Sequence, residues 1–381
     1  MSGPGLILIG PLPPPIDGQS LAFELLVHGL AAAGVDAKII DISRPGSHYS
    51  RSRAARAYDY ARALWRTFRA LRQAPEATLY LTAAQSRAGF LRDAAFVGLA
   101  SALGRHRIVL HVHGGNYGAF HAAQPRLLRR AIHQLVRASG ALIVLSESLR
   151  GMFDFAPDVS KRIVVVANGL PTEPPSIGLP KNAPAPGEAW RVLFLSNLVE
   201  SKGYLELIEA IAQLVGEGLH IELDLCGEFR SNPGEDRRVT SPAQARELTE
   251  ASIRRLGLEN RVRLRGTVQG AEKERLLSEA HLFALPTRYD AEGQPLSIIE
   301  AMAWGCPVIA TRYRGIPDLV EDGVTGWLID RPDPAAIAGR IRALCTAPAL
   351  YARMSAAGRA RFEANFTRST HLAALRRVLR V

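Results

Sequence analysis

The segment PTEPPSIGLPKNAPAPGEAW, residues 171–190, decides how this chain is read. Its Pro, Gly and Ala content and its lack of an apolar period mark a linker between two similar halves. Before it, short apolar runs at 6–10, 37–41, 78–81, 108–112, 141–145 and 163–166 alternate with helical patterns near 20–33, 52–73, 88–103, 125–138 and 146–154. After it the alternation restarts, with strand-like runs at 191–195, 221–225, 262–265, 282–285 and 308–310. The chain closes on helical patterns near 333–346, 350–363 and 367–380. Runs that are apolar throughout, rather than at every second residue, belong to parallel sheets covered on both faces. The pattern predicts an α/β protein of two doubly wound, Rossmann-like parallel-sheet domains. The expected division is 1–172, a linker at 173–190, a second domain at 191–364 and a closing helix in 365–381. Ligands of such sheets bind beyond the carboxyl ends of the strands, so a cleft between the halves is the expected place for chemistry.

The bulk properties fit. A chain of 381 residues can bury two cores, and 47% hydrophobic with 22% charged residues is an ordinary globular composition. Cys226, Cys306 and Cys345 are far apart and each lies in an apolar stretch, which reads as core thiols in a reducing compartment. The opening MSGPGLILIGPLPPP has no basic flank before its apolar run, unlike a signal peptide, and no apolar stretch reaches membrane-spanning length. A cytoplasmic protein is expected. The formal charge is +11, and residues 1–170 hold 20 Lys+Arg against 10 Asp+Glu, so nearly all of the excess lies in the first half. A one-sided basic domain points to an anionic partner; a genome rich in arginine would leave the same trace.

Four constellations carry chemistry. In RYDAEGQPLSIIEAMAWGCPVIAT (288–311), Pro295 suits the first position of a helix, with Glu292 in the preceding loop and Glu300 in the second turn. A carboxylate as hemmed in by apolar residues as Glu300 needs donors, either a ligand or an arginine elsewhere. Ser297, Glu300, Ala301 and Trp304 share one helix face, while Leu296, Ile299 and Ala303 share another suited to the sheet. In VLFLSNLVESKGYLELIEAIAQL (192–214), Lys202 stands where a loop becomes a helix, beside the free N–H groups that bind phosphates; a solvated loop lysine is the plainer reading. Gly18, after the first strand, would let backbone approach a ligand or would simply turn the chain. His111 and His113 lie two apart at a strand end, one expected to meet a ligand and the other to pack. No third metal ligand accompanies them. There is no D-x-D motif: Glu222-Leu223-Asp224 falls inside a strand, so phosphates would be neutralised by side chains and helix N-termini rather than by a metal. The dinucleotide fingerprint is missing too.

The two acids of EGQPLSIIE, followed by AMAWGCPVIAT and GIPDLVEDGVTGWLI (315–329), together with the Lys202-Gly203 loop and the linker, resemble the retaining GT-B glycosyltransferases of family 4 over essentially the whole chain. That resemblance implies a metal-independent transfer of a sugar from a UDP- or GDP-linked donor, without a cofactor, onto a glycan or lipid-linked acceptor in bacterial polysaccharide or glycolipid synthesis. It implies that Glu300 holds the ribose hydroxyls and Glu292 the hydroxyls of the sugar, with the backbone of Gly293, Gln294, Pro295 and Leu296 beside sugar and phosphate. Lys202 would neutralise the diphosphate, Gly18 would approach it, and His113 would touch the sugar. The family commonly has an arginine where this chain has Asn197, which can donate a hydrogen bond to phosphate but supplies no charge. Two further readings use the same donor site: a GT-B sugar-nucleotide epimerase and a catalytically silent sugar-nucleotide-binding protein.

Residues 51–72, RSRAARAYDYARALWRTFRALR, are dense in arginine and carry Tyr58, Ala61, Leu64, Trp65, Phe68 and Leu71 at helical spacing. The expectation is that this stripe packs inward while the arginines draw the protein to an anionic membrane at the inner face of the cell membrane. Nucleic acid is not an expected partner, since charge alone suggests it and no recognition module accompanies it.

Overall fold

LILIG, at Leu6–Gly10, is buried at all five positions, as only a strand covered on both faces can be. It is β1 of a first unit in a computed structural model that describes residues 5–14, 16–43, 52–104, 106–172, 174, 180–232, 235–236 and 238–381. Linker positions 173 and 175–179, and Arg51 of the basic segment, lie outside the described residues. The first unit continues through α1 (Gly18–Ala32), β2 (Ala37–Asp41), α2 (Arg53–Gln73), β3 (Thr78–Ala83), α3 (Arg87–Leu103), β4 (Arg107–Val112), α4 (Tyr117–Ala122), α5 (Arg126–Ala138), β5 (Ala141–Val144) and β6 (Ile163–Val165). The second unit runs β7 (Trp190–Leu195), α6 (Tyr204–Gly216), β8 (Ile221–Cys226), α7 (Pro242–Arg255), β9 (Val262–Gly266), α8 (Gly270–Glu279), β10 (Leu282–Leu285), α9 (Leu296–Ala303), β11 (Val308–Thr311), β12 (Gly326–Ile329), α10 (Pro334–Cys345) and α11 (Pro348–Asn365). The last helix, α12 (Arg368–Leu379), belongs to the first unit, which comprises Met1–Pro171 with Arg368–Val381; Thr172–Thr367 form the second.

Both sheets have six strands, ordered β2-β1-β3-β4-β5-β6 and β12-β11-β10-β7-β8-β9, and every pairing is parallel. The α/β fold class read from the sequence is therefore the one observed. In each sheet the order reverses beside the first strand, between β1 and β3 and between β7 and β10. Such switch points open a crevice at the carboxyl ends of the strands. In the first unit, α2, α3 and α5 pack on one face of the sheet through Leu71, Phe96 and Ile132 against Leu79, Leu81 and Leu110. On the opposite face α1 and α12 pack through Leu26, Leu30 and Leu375 against Leu8, Tyr80 and Ile143.

Several local expectations are corrected. The pattern at 146–154 forms a 3-10 turn, Glu147–Phe153, rather than an α-helix. Strand β12 is not among the expected runs; it begins at Gly326, where a Cβ would collide with the Val308 carbonyl. Pro295 is not the first helical residue but the N-cap, at φ −62° and ψ 117°, and α9 starts at Leu296. Ala301, placed on the outward face of that helix, is fully buried, whereas Leu296, placed on the inward one, is half-buried.

The basic helix departs furthest. Tyr58 and Trp65 are 68% and 59% exposed, so only the Leu71 end of the expected stripe, with Leu64 in part, packs inward. Among the described side chains of α2, Ala63, Thr67, Ala70 and Leu71 are the buried ones. Small side chains let the helix lie close to the sheet, and they fall on the side opposite the two aromatics.

Candidate functional site

The loops after β7 and β10 meet at the switch point of the second sheet, because those strands are neighbours with Leu193 paired to Phe283. After β7 the chain makes a short 3-10 turn, Glu200–Lys202, and then enters α6 through Gly203 at φ 77°. Only glycine fits there: the left-handed backbone disfavours a side chain, and a Cβ would collide with the Pro286 carbonyl at the head of the facing loop. The loop after β10 is held in turn by Arg288 N–H donating to the Ser201 carbonyl at 2.7 Å, and by the Thr311 hydroxyl donating to the Thr287 carbonyl. A backbone hydrogen bond thus ties the two loops together.

On this frame Lys202 and Glu292, ninety residues apart in sequence, pair at 3.0 Å with side chains 13% and 8% exposed. The Thr287 hydroxyl donates to the same Glu292 oxygen at 3.3 Å, and the Lys202 ammonium lies 4.9 Å from the centre of the Tyr289 ring. Burial, with Glu235 and Glu292 adding, pushes the Tyr289 phenol above its ordinary range. An ammonium has three donors, and the carboxylate uses one of them, leaving capacity for another anion. Neither α6 nor α9 has a side-chain cap at its N-terminus, so the amides of Tyr204, Leu205 and Leu296 remain available as anion donors beside Lys202 and Glu292. Gly293 and Gln294 are buried in the loop between; Pro295 has no N–H to offer.

Glu300 finds its donor in Lys273 of α8, at 2.6 Å, with side chains 17% and 30% exposed. The partner is a lysine of the same unit, where the sequence left a ligand or an arginine open. Its Oε2 has no hydrogen-bond partner among the described residues. Lys273, Thr287 and Tyr289 were missed by sequence reading, because no local pattern links them to the acids. Asn197 is half-buried on the loop after β7, and its backbone carbonyl accepts from Val199 N–H at 2.9 Å. Glu222 and Asp224 are each paired on strand β9, with Arg263 at 2.8 Å and Arg265 at 2.6 Å. Cys226 and Cys306 are buried free thiols, and burial pushes Cys226 up to about 12.

In the first unit, Gly18 is the exposed opening residue of α1, whose N-cap is Asp17 in a reciprocal box with Ser20. His113 follows β4, with its ring 4.0 Å from that of His111. His111 is buried and shares a 2.6 Å hydrogen bond with the Tyr80 hydroxyl, so it is the packed member of the pair. Both ring nitrogens of His113 are covered and lack a hydrogen-bond partner among the described residues. Burial, aided by His371, depresses its pKa to about 3, so the ring is neutral at physiological pH. A neutral imidazole can donate one hydrogen bond and accept one.

With its two Rossmann-like parallel-sheet units, the chain has the GT-B fold. Over 99% of both chains it is similar to the UDP complex of Anabaena Alr3699/HepE, with a TM-score of 0.73 at 19% identity. It is likewise similar to sucrose-phosphate synthase of Thermosynechococcus elongatus, with a TM-score of 0.72 at 21% identity over 99% of this chain and 98% of that one. Residues 179–361 match the family model of glycosyl transferases group 1. Among curated relatives, WcaL of Salmonella typhimurium, named for colanic acid biosynthesis, is 33% identical over 42% of this chain and 37% of its own length. The amylovoran biosynthesis glycosyltransferase AmsK of Erwinia amylovora is 32% identical over 46% of this chain and 41% of its own. The chain thus spans under half the length of these relatives. The matched segment contains Asn197, Lys202, Lys273, Glu292 and Glu300, and excludes Gly18 and His113.

Proposed function

We propose that this protein is a retaining glycosyltransferase of the family 4 type that moves a sugar from a UDP- or GDP-sugar to a glycan or lipid-linked acceptor, in bacterial polysaccharide or glycolipid synthesis. The observation that carries the reading is the Lys202–Glu292 pair at the switch point, 3.0 Å long and flanked by two helix N-termini without side-chain caps. Departure of a nucleoside diphosphate builds negative charge on the leaving oxygen. A preorganised ammonium and backbone N–H groups stabilise that charge without reorganisation. Glu292 holds the ammonium in place and offers its carboxylate to sugar hydroxyls. Glu300, with Oε2 open, accepts from the ribose. The reaction is proposed to need no metal, because Lys202 and the amides meet the phosphate charge and the acids of β8 already serve arginines. Gly18 and His113 keep the roles that the family resemblance implies.

A thermal-shift screen of UDP- and GDP-sugars tests the reading. One donor should stabilise the parent and not Glu300→Ala, and EDTA should leave that stabilisation unchanged. If every donor acts equally on both proteins, the site is wrong. Incubation of the stabilising donor without acceptor separates the neighbouring readings, since an epimerase would convert it and a silent binder would leave it intact through all acceptor trials.

A further inference from the structure

We infer that the outer face of the α2–α3–α5 layer is a docking surface for an anionic lipid bilayer, gripping it with exposed aromatic and leucine side chains set among arginines. All three helices pack on the same side of the first sheet, so the residues they turn away from it face one direction. The face is apolar where it ought to be polar. Tyr58 and Trp65 of α2, Leu91 of α3 and Leu127 of α5 are 59–78% exposed, whereas the second unit shows one large exposed hydrophobic, Val324, among the described residues. In α2 the exposed stripe is Tyr58, Arg62, Trp65, Arg69 and Arg72, at steps of four, three, four and three residues, which keeps it on one side of the helix. Trp65 and Phe68 stack at 5.5 Å, making a single aromatic platform. Together the three helices contain twelve arginines and two acids, Asp59 and Asp93, and Asp93 is buried against Arg92.

Charge and shape together select the occupant. On α5, Arg126, Arg129 and Arg130 are exposed around Leu127, and no carboxylate pairs with them among the described residues. Cations carried beside protruding Trp, Tyr and Leu match the headgroup region of a bilayer, where phosphates lie just above hydrocarbon. Nucleic acid would use the arginines and the stacking platform, but it offers nothing to two protruding leucines. The sequence expectation of membrane contact through residues 51–72 is thereby moved to a face of three helices. The surface goes beyond the transferase reading and does not depend on it.

The test is sedimentation of the full chain with vesicles of phosphatidylcholine alone and with 30 mol% phosphatidylglycerol, at low and high salt, alongside tryptophan emission. Partition should rise at least about tenfold with the anionic lipid and fall with salt. Arg126→Ala, Arg129→Ala and Arg130→Ala should each weaken it about fivefold. Trp190, Trp304 and Trp327 are only partly exposed, so an emission blue shift on binding should come from Trp65 and vanish in Trp65→Phe. Donor-induced thermal stabilisation in these variants reports separately on the transferase site. Equal partition onto neutral vesicles, indifference to the arginine changes, or a blue shift that survives Trp65→Phe would overturn the proposal. So would an oligonucleotide that strips the protein from vesicles while Leu127→Ser leaves partition unchanged.

Discussion

Replacing Lys202 by methionine tests the site on two separable readouts. Methionine keeps the length of the stem but removes the ammonium, leaving the Glu292 carboxylate, 8% exposed, hydrogen-bonded to the Thr287 hydroxyl at 3.3 Å. Breaking one partner out of a fully buried pair costs about 3–5 kcal/mol. Since Lys202 is 13% exposed and water can reach part of the pair, about 2–3 kcal/mol is the appropriate scale here. For a domain of this size that lowers Tm by roughly 5–10 °C. The catalytic loss is a different quantity. Removing a preorganised charge from a developing leaving group costs about 100- to 1000-fold in kcat. Adding Glu292→Gln removes the stranded carboxylate, so K202M/E292Q should recover most of the Tm and none of the turnover. Calorimetry gives the first measurement, and sugar release from the donor found by thermal shift gives the second. If K202M melts like the parent, the pair does not hold the two loops together. If the double variant also recovers turnover, Lys202 serves the fold alone and the mechanism must be rebuilt.

Gly203→Ala places a methyl group against the Pro286 carbonyl on a left-handed backbone, so the second unit should lose at least about 3 kcal/mol, read as a lower urea midpoint. Lys181 is buried with its ammonium donating to the Leu277 carbonyl at 2.6 Å and to that of Ala280. Lys181→Met strands those acceptors and should cost about 2–4 kcal/mol without altering donor affinity; an unchanged urea midpoint would contradict that role. In the first unit, burial depresses His111, His113 and His371 below the usual histidine range. The unfolded chain takes up protons near pH 6.5 while the native rings stay neutral, so stability is full above that pH and falls as pH drops toward the folded value, about 3 for His113. Each such ring contributes a slope of up to about 1.4 kcal/mol per pH unit. Melting of the first unit should therefore decline steeply from pH 7 to 5, less steeply in His113→Gln, and imidazolium NMR signals from these rings at pH 6 would refute it.

Much of the chain was legible because its signals are local. A strand covered on both faces must be apolar throughout, and a helix on a sheet must repeat at its own period, so the order of strands and helices could be read without coordinates. Glu292, Glu300 and Lys202 stood out for similar reasons: an acid in an apolar helix and a rare lysine beside Gly203 are local oddities. Where the signal was ambiguous, the reading slipped. The aromatic stripe of α2 has the period of a buried face, but period does not say which side of the helix meets the sheet. Ala63, Thr67 and Ala70 took that place because small side chains permit close approach.

Tertiary structure alone decided who partners whom. The sequence placed Lys202 and Glu292 in separate loops; the neighbouring positions of β7 and β10, set by the reversal of strand order, bring them to 3.0 Å. It likewise gave no hint that Lys273 serves Glu300, or that Lys181 leaves the linker to lie buried beside Cys306. Local propensity fixes what a segment becomes, whereas a charge takes its partner from whatever the sheet topology carries within reach, and that distance is not written along the chain.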